Sequence, residues 1–385
     1  MRFMYNFDAS KEDFGTFEFL DQTYIADSDS QAIHLRHKKT GLEVYHLLNE
    51  DKENLCCFSF RTPPETSNGV AHIIEHSSLC GSEKYPLKDP FIHMENQSLN
   101  TYLNALTGCD HTMYPVSSVV EDDYFNLVSV YADSVFFPNL KKEAFLQEAY
   151  RLTVDENKNY SIQGVVYNEM KGVFSQFFNA EDDVLSEAFY DGTIYALSSG
   201  GNPSVIPELT YEEYLKFYRE KYTPENCLIF LYGNIPTKKQ LDFFQKNFID
   251  RLEQREKIVT KKTPLEIIKS QKVKKFDELK EFYGIGPKVS EVTDPSICLS
   301  WYLGECNNLD DYIETNLIQS ILFGHDGSPL RKALINSELG IDIDDLSGLD
   351  GGTKFRTISF GLKGIKLKNK DKMCLLILSE IEKVI

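Results

Sequence analysis

The chain has no apolar run approaching the roughly 20 residues that cross a bilayer, which excludes a helical membrane span as a sequence expectation. No leader is expected from its opening stretch either. The opening stretch, MRFMYNFDASKEDFGTFEF, has no apolar signal core and carries acids where transit peptides avoid them. The expectation is a cytoplasmic protein without a membrane partner; an organellar matrix enters only if a transit peptide lies outside this sequence. Eight cysteines occur without one C-x-x-C pair and without regular spacing, so they read as free thiols and not as a disulfide framework. Basic residues are under-represented: 41 Lys and Arg face 59 Asp and Glu, a net charge of −18. Such a field repels nucleic acid and favours cationic partners. There is no G-x-x-x-x-G-K-[ST] stretch, so no ATP site is expected.

What is present is a globular composition, 42% hydrophobic and 26% charged, over 385 residues, enough for two domains with a core each. FEFLDQTYIA, QAIHLRHK, GLEVYHLL and NLCCFSFRT are short, rich in β-formers and separated by polar turns, which predicts strands. TSNGVAHIIEHSSLCG then predicts a helix capped at Ser67 or Asn68 and closed near Gly81. LNALTGCDHTMYPV returns to extended structure. Tyr124, Leu127, Val128, Tyr131 and Val135 fall on one helical face, and further helices are expected over roughly 141–152 and 163–178. YTPENCLIFLYGNIP predicts a buried strand, and TKKQLDFFQKNFIDRLEQRE an amphipathic helix. The expected class is α+β: a mixed or antiparallel sheet with helices packed on it, occurring as two similar units with the second incomplete. Residues 1–255 form the first unit, 256–290 a lysine-rich linker with an edge strand, and 291–385 the start of the second. That second unit stops on an apolar helical stretch, DKMCLLILSEIEKVI, which reads as a truncated chain or one half of a larger assembly.

One stretch carries chemistry. In HIIEH, His72 and His76 stand four apart, so on a helix both imidazoles aim at one point, an arrangement that suits Zn²⁺. Glu75 lies close to the same face but offset. It need not ligate, and can take the proton of a water that the metal acidifies; H-x-x-E-H is the inverted zincin signature. Cys80 is near but solitary, whereas zinc thiolates come in clusters. A third ligand is wanted. In GVVYNEMKGVFSQFF, Val166, Met170, Val173, Phe174 and Phe177 form a stripe expected to face the core, with Glu169 upon it. Glu148 has a similar placement among Phe145, Ala149 and Leu152. Periodicity leaves the choice open, the other acid serving to orient a histidine.

HIIEHSSLCGSEKYPLKDPF, LNALTGCDHTMYPVSS, SVYADSVFFPNL, GVVYNEMKG and SSGGNPSVIPELTYEEY occur in order and together resemble the presequence proteases, a branch of the insulin-degrading-enzyme and pitrilysin class of inverted zincins. The resemblance implies one Zn²⁺ per chain held by His72, His76 and Glu169, with Glu75 as general base and Glu148 as an outer acid. It implies that Asn104 and Ala105 hold the main chain of a peptide substrate by strand addition. Members of that class close two halves around a peptide chamber, and an arginine and a tyrosine of the carboxy-terminal half, absent from this sequence, complete the site. The expected function is a zinc metallopeptidase, or its amino-terminal half, that cuts short unstructured peptides and favours basic ones. A non-catalytic subunit shaping the chamber for a partner chain is the alternative.

Overall fold

The structure, a computed structural model, describes residues 7–88, 90–256, 258, 260–273, 295–306 and 308–384. The chain divides into two units, Met1–Lys171 with Leu197–Gln271, and Gly172–Ala196 with Lys272–Ile385.

The first unit is built on a sheet of β1 (Phe17–Ile25), β2 (Ser30–His37), β3 (Glu43–Leu48), β4 (Asn54–Arg61), β5 (Asn100–Leu103), β6 (Leu106–Thr107), β7 (His111–Ser118) and, after a separate hairpin of β8 (Arg151–Val154) and β9 (Tyr160–Gln163), β10 (Cys227–Gly233). The order is β1-β2-β3-β10-β4-β7-β5, with β6 also on β7. Every pairing is antiparallel except β3 with β10. Strand β10 buries Cys227, Ile229 and Leu231 on alternate positions, the period expected when one face of a strand packs inward. It is inserted between β3 and β4, which places a late segment at the centre of the sheet.

The helices of this unit are α1 (Val70–Ser78), α2 (Pro90–Gln97), α3 (Glu121–Phe136), α4 (Lys142–Glu148) and α5 (Val165–Val173), followed beyond α6 by α7 (Tyr211–Lys221), α8 (Thr237–Phe244), α9 (Asp250–Leu252) and α10 (Pro264–Ser270). Tyr124, Leu127, Val128, Tyr131 and Val135 of α3 are all buried, as their spacing predicts. The core is aromatic: Phe60 stacks on Tyr222 at 4.6 Å and Phe136 on Phe248 at 5.6 Å. Thr210 and Glu213 close a reciprocal capping box at the start of α7. The long amphipathic helix after β10 is interrupted by a π-turn at Gln245–Ile249, which turns Phe248 and Ile249 inward.

Three local expectations need correction. Helix α4 ends at Glu148, because β8 begins at Arg151 and claims the residues expected to continue it. The helix expected over 163–178 ends at Val173, and α6 (Phe177–Tyr190) starts separately after Gln176. Within the stretch read as a patternless linker, Thr263 and Glu266 cap the short helix α10 with Pro264 at its first position, a local signal that the lysines obscured. Residues 274–290 of that stretch lie outside the described residues.

In the second unit, α6 precedes β11 (Ile297–Glu305), α11 (Leu309–Phe323), α12 (Pro329–Asn336), β12 (Asp342–Ile343), β13 (Gly348–Asp350), β14 (Phe355–Lys363) and α13 (Lys370–Glu382). Strand β14 is central and pairs antiparallel with β11, β12 and β13. Gly351 and Gly352 lie in the connection between β13 and β14. Leu330, Leu334, Phe360, Met373 and Ile377 form the core. Tyr190 and Tyr195 pack on Phe355 at 5.9 and 5.5 Å, which draws the 172–196 segment into this unit. The architecture is α+β, with a mixed sheet in one unit and an antiparallel sheet in the other. Among the described residues no helix is long and apolar enough to cross a membrane.

Candidate metal centre

Helix α1 is buried nearly all round: Val70, Ala71, His72, Ile73, Ile74, Glu75, Ser77 and Ser78 are all buried. Its N-cap is neither Ser67 nor Asn68 but Gly69, in the left-handed region at φ 69°. Asn68 still contributes, its Oδ1 accepting from the Val70 N–H at 3.2 Å. Glycine is required at position 69 because a Cβ there would sit 2.8 Å from the Gly200 oxygen and 2.9 Å from the Gly201 Cα. The loop at 198–202 is anchored against this turn by Asn202 N–H to Ser67 O at 2.8 Å and Ser198 N–H to Ser67 Oγ at 3.1 Å.

That close approach sets the chemistry of His72. Its Nδ1 lies 3.0 Å from the Gly200 carbonyl oxygen, which can only accept. Nδ1 therefore carries the proton, and Nε2 is left with a lone pair. His76 repeats the pattern with Nδ1 3.2 Å from Glu148 Oε2. The two rings stand 4.9 Å apart at 75°. Both free Nε2 atoms face one oxygen of Glu169 on α5, Oε2, at 3.8 Å from His72 and 3.7 Å from His76. The ligand atoms of His72, His76 and Glu169 all lie within 4.8 Å of one another. Ligands about 2.1 Å from a tetrahedral zinc would be about 3.4 Å apart, so the two carboxylate–imidazole separations of 3.8 and 3.7 Å lie a few tenths of an ångström from those of such an ion. Two neutral imidazoles and one carboxylate are also the donor chemistry zinc accepts.

The two candidate acids occupy different environments. Glu148 is buried, and its other oxygen accepts from Gln147 Nε2 at 2.8 Å. Burial pushes its carboxyl up, but the His76 and Gln147 hydrogen bonds outweigh this and hold it below the usual range. For His76, burial pulls the imidazole down, yet the Glu148 hydrogen bond and the charges of Glu75, Glu148 and Glu169 raise it overall. Glu169, by contrast, is half exposed, with 49% of its side chain accessible. The expectation that it sits on a core-facing stripe is wrong. Val166 and Met170 are buried, but α5 ends at Val173 and Phe177 belongs to α6, 42% exposed.

The Glu75 carboxylate lies beside the pair but outside the group of converging ligand atoms. Its Oε2 accepts from the Thr107 hydroxyl at 2.7 Å. All of these groups open into a cavity of about 630 Å³ whose wall includes Leu79, Phe91, Ile92, Leu106 and Met170, with Asn104 and Ala105 on its lining. Strand β5 is the edge of the sheet. The Asn104 N–H is spent on Pro115 O at 3.2 Å, and its carbonyl accepts from Tyr131 Oη at 3.1 Å. Ala105 N–H turns back to Asn104 Oδ1 at 2.9 Å. The backbone of Asn104 is thus committed to the fold. Asn104 and Ala105 lie between the end of β5 at Leu103 and the start of β6 at Leu106.

In the second unit Glu181, Cys298 and Asp344 also converge within 4.8 Å. Cys298 Sγ donates to Asp344 Oδ1 at 2.8 Å, and Ser296 donates to the other oxygen, so both oxygens of Asp344 are satisfied.

Two contributors escaped the sequence reading. Thr107 carries no mark in its own stretch. The Gly200 carbonyl had a signal, the paired glycines of SSGGNPS, whose missing side chains admit the loop to α1; a Cβ on Gly200 would lie 3.0 Å from Met170 Cε.

Residues 61–174 match the family described as insulinase (peptidase family M16), and residues 208–385 the peptidase M16 inactive domain. The chain is 37% identical over 372 residues to presequence protease 1, chloroplastic/mitochondrial, of Arabidopsis thaliana, covering 96% of this chain and 34% of that protein. It is 34% identical over 375 residues to the mitochondrial presequence protease of Danio rerio, at 96% and 36% coverage. An uncharacterized protein of Borreliella burgdorferi is 38% identical over 357 residues, at 92% and 35% coverage. The chain therefore spans about a third of the length of these relatives. Among solved structures, pitrilysin superposes with a TM-score of 0.65 at 16% identity, covering 96% of this chain and 38% of that one. A protease from Helicobacter pylori gives 0.69 at 17% identity, with 95% and 79% coverage.

Proposed function

The chain belongs to the M16 peptidase family as a relative of presequence-protease type, and from that premise we propose that it is the metal-bearing part of a zinc endopeptidase acting on short unstructured peptides. The observation that carries the reading is the commitment of both Nδ1 protons, one to the Gly200 carbonyl and one to Glu148, which leaves two Nε2 lone pairs and the Glu169 carboxylate converging at 3.7–3.8 Å.

His72, His76 and Glu169 would hold the ion. When bound, it would supply a Lewis acid that acidifies water and polarises a carbonyl. The other roles belong to the protein. Glu148 and the Gly200 carbonyl fix the imidazole tautomers and ring orientations. Glu75 accepts the proton of the attacking water and returns it to the departing amine. The sheet edge at Leu103–Ala105 aligns an extended peptide. The apolar wall of Phe91, Ile92 and Leu106 receives side chains beside the cleaved bond. The preference for basic peptides rests on the net charge of −18 and on three acids within the cavity.

Metal analysis of the purified protein tests the ligand set. Zinc content falls sharply in His76→Ala and Glu169→Gln and persists in Glu75→Gln. Full zinc in both ligand variants would refute the assignment. The length covered favours keeping a second reading, that this chain shapes a peptide-binding half whose catalysis depends on further residues.

A further inference from the structure

The geometry points to Thr107 as the positioning residue of the general base: its hydroxyl holds one oxygen of Glu75 and ties the base to β6, which directly follows the peptide-aligning edge at Leu103–Ala105. The inference rests on the metallopeptidase reading and goes beyond the ligand set.

Thr107 Oγ1 donates to Glu75 Oε2 at 2.7 Å, and no hydrogen bond is made by the other carboxylate oxygen, Oε1, among the described residues. One oxygen is thereby pinned and the other left to receive a proton. A carboxylate with two equivalent oxygens and free rotation would spend much of its time aimed elsewhere; an anchored one holds a near-attack orientation. The anchor is itself rigid. Thr107 is β-branched and restricted in χ1. It is paired with Thr112 in β7, and the next residue is fixed from both sides: Gly108 N–H donates to His111 O at 2.7 Å, and Ser199 Oγ donates to Gly108 O at 2.7 Å. Ser199 immediately precedes Gly200, whose carbonyl orients His72. One short stretch therefore fixes the base, while the loop bracing it fixes a metal ligand. Only one residue separates Thr107 from Ala105, so a peptide added to that edge is registered directly against the base.

The test uses the zinc-loaded protein with Thr107→Val, which keeps the branched shape and removes the hydroxyl, and Thr107→Ser, which keeps the hydroxyl. For Thr107→Val we expect unchanged zinc content, KM within about twofold, and kcat lower by about 10–100-fold. Thr107→Ser regains most of that loss. The double variant Glu75→Gln/Thr107→Val is no slower than Glu75→Gln alone, because the threonine acts only through the glutamate. A crystal structure of Thr107→Val, expected to show the Glu75 carboxylate displaced or in several rotamers, reads the effect directly at any level of turnover. An unmoved carboxylate with wild-type kcat overturns the proposal, as does zinc loss in Thr107→Val that serine fails to rescue. Full turnover in Glu75→Gln would instead strike at the general-base reading itself and take this proposal with it.

Discussion

His76 stands between two carboxylates with opposite tasks: Glu148 grips Nδ1 at 3.2 Å, and Glu169 faces Nε2 at 3.7 Å. In the proposed site the buried acid orients, because a hydrogen-bonded carboxylate survives in an apolar setting while a ligand needs to reach an open cavity. Removing the charge from Glu148 should therefore weaken the metal site without removing a ligand. In Glu148→Gln we expect zinc affinity about 10–100-fold lower at neutral pH, measured by competition with a chelator. The pH response gives a second signature. His76 is raised above its ordinary value of 6.5, and a protonated imidazole cannot ligate, so affinity falls as pH drops through that raised value. Without the Glu148 anion the fall should move to lower pH. A midpoint that stays in place would show that Glu148 does not govern His76.

In the proposed site helix α1 is the ligand platform, and its first turn is pressed against the 198–202 loop. Gly69, at φ 69° and with no room for a Cβ under the Gly200 oxygen, is the point of contact. In Gly69→Ala a side chain would be forced into the left-handed region at a cost of about 1–2 kcal/mol and would push the Gly200 carbonyl away from His72. The expected outcome is a lower midpoint in urea together with a disproportionate loss of zinc affinity. Wild-type affinity in the folded variant would mean that the carbonyl does not set the tautomer. The helix boundaries carry a related lesson. The 3.6-residue stripe of α3 was legible because one face of a long helix meets one sheet. The apparent stripe through Glu169 was not, because its residues are divided between α5 and α6.

At the scale of the whole molecule, the chain carries the proposed metal site in one unit and, in the other, a helix α11 with Leu309, Ile313, Leu317 and Ile321 exposed. Sequence corresponding to the remaining two thirds of the relatives' length, supplied in trans, should raise the hydrolysis of a fluorogenic basic peptide by the zinc-loaded chain. An intact zinc site with no gain of activity would favour the chamber-forming reading over the peptidase. The sequence by itself determined the features that are periodic or local. These are the strands that alternate burial, the α3 face, and the spacing of His72, Glu75 and His76 on one helix, since an α-helix brings residues four apart together whatever surrounds it. Only tertiary structure brings Glu148 to His76 Nδ1, the Gly200 carbonyl to His72 Nδ1 and the Thr107 hydroxyl to Glu75. Those contacts join residues 72, 128 and 32 positions apart, and no local period encodes which loop will approach which helix. That is settled by where β10 enters the sheet and by which glycines let two backbones meet.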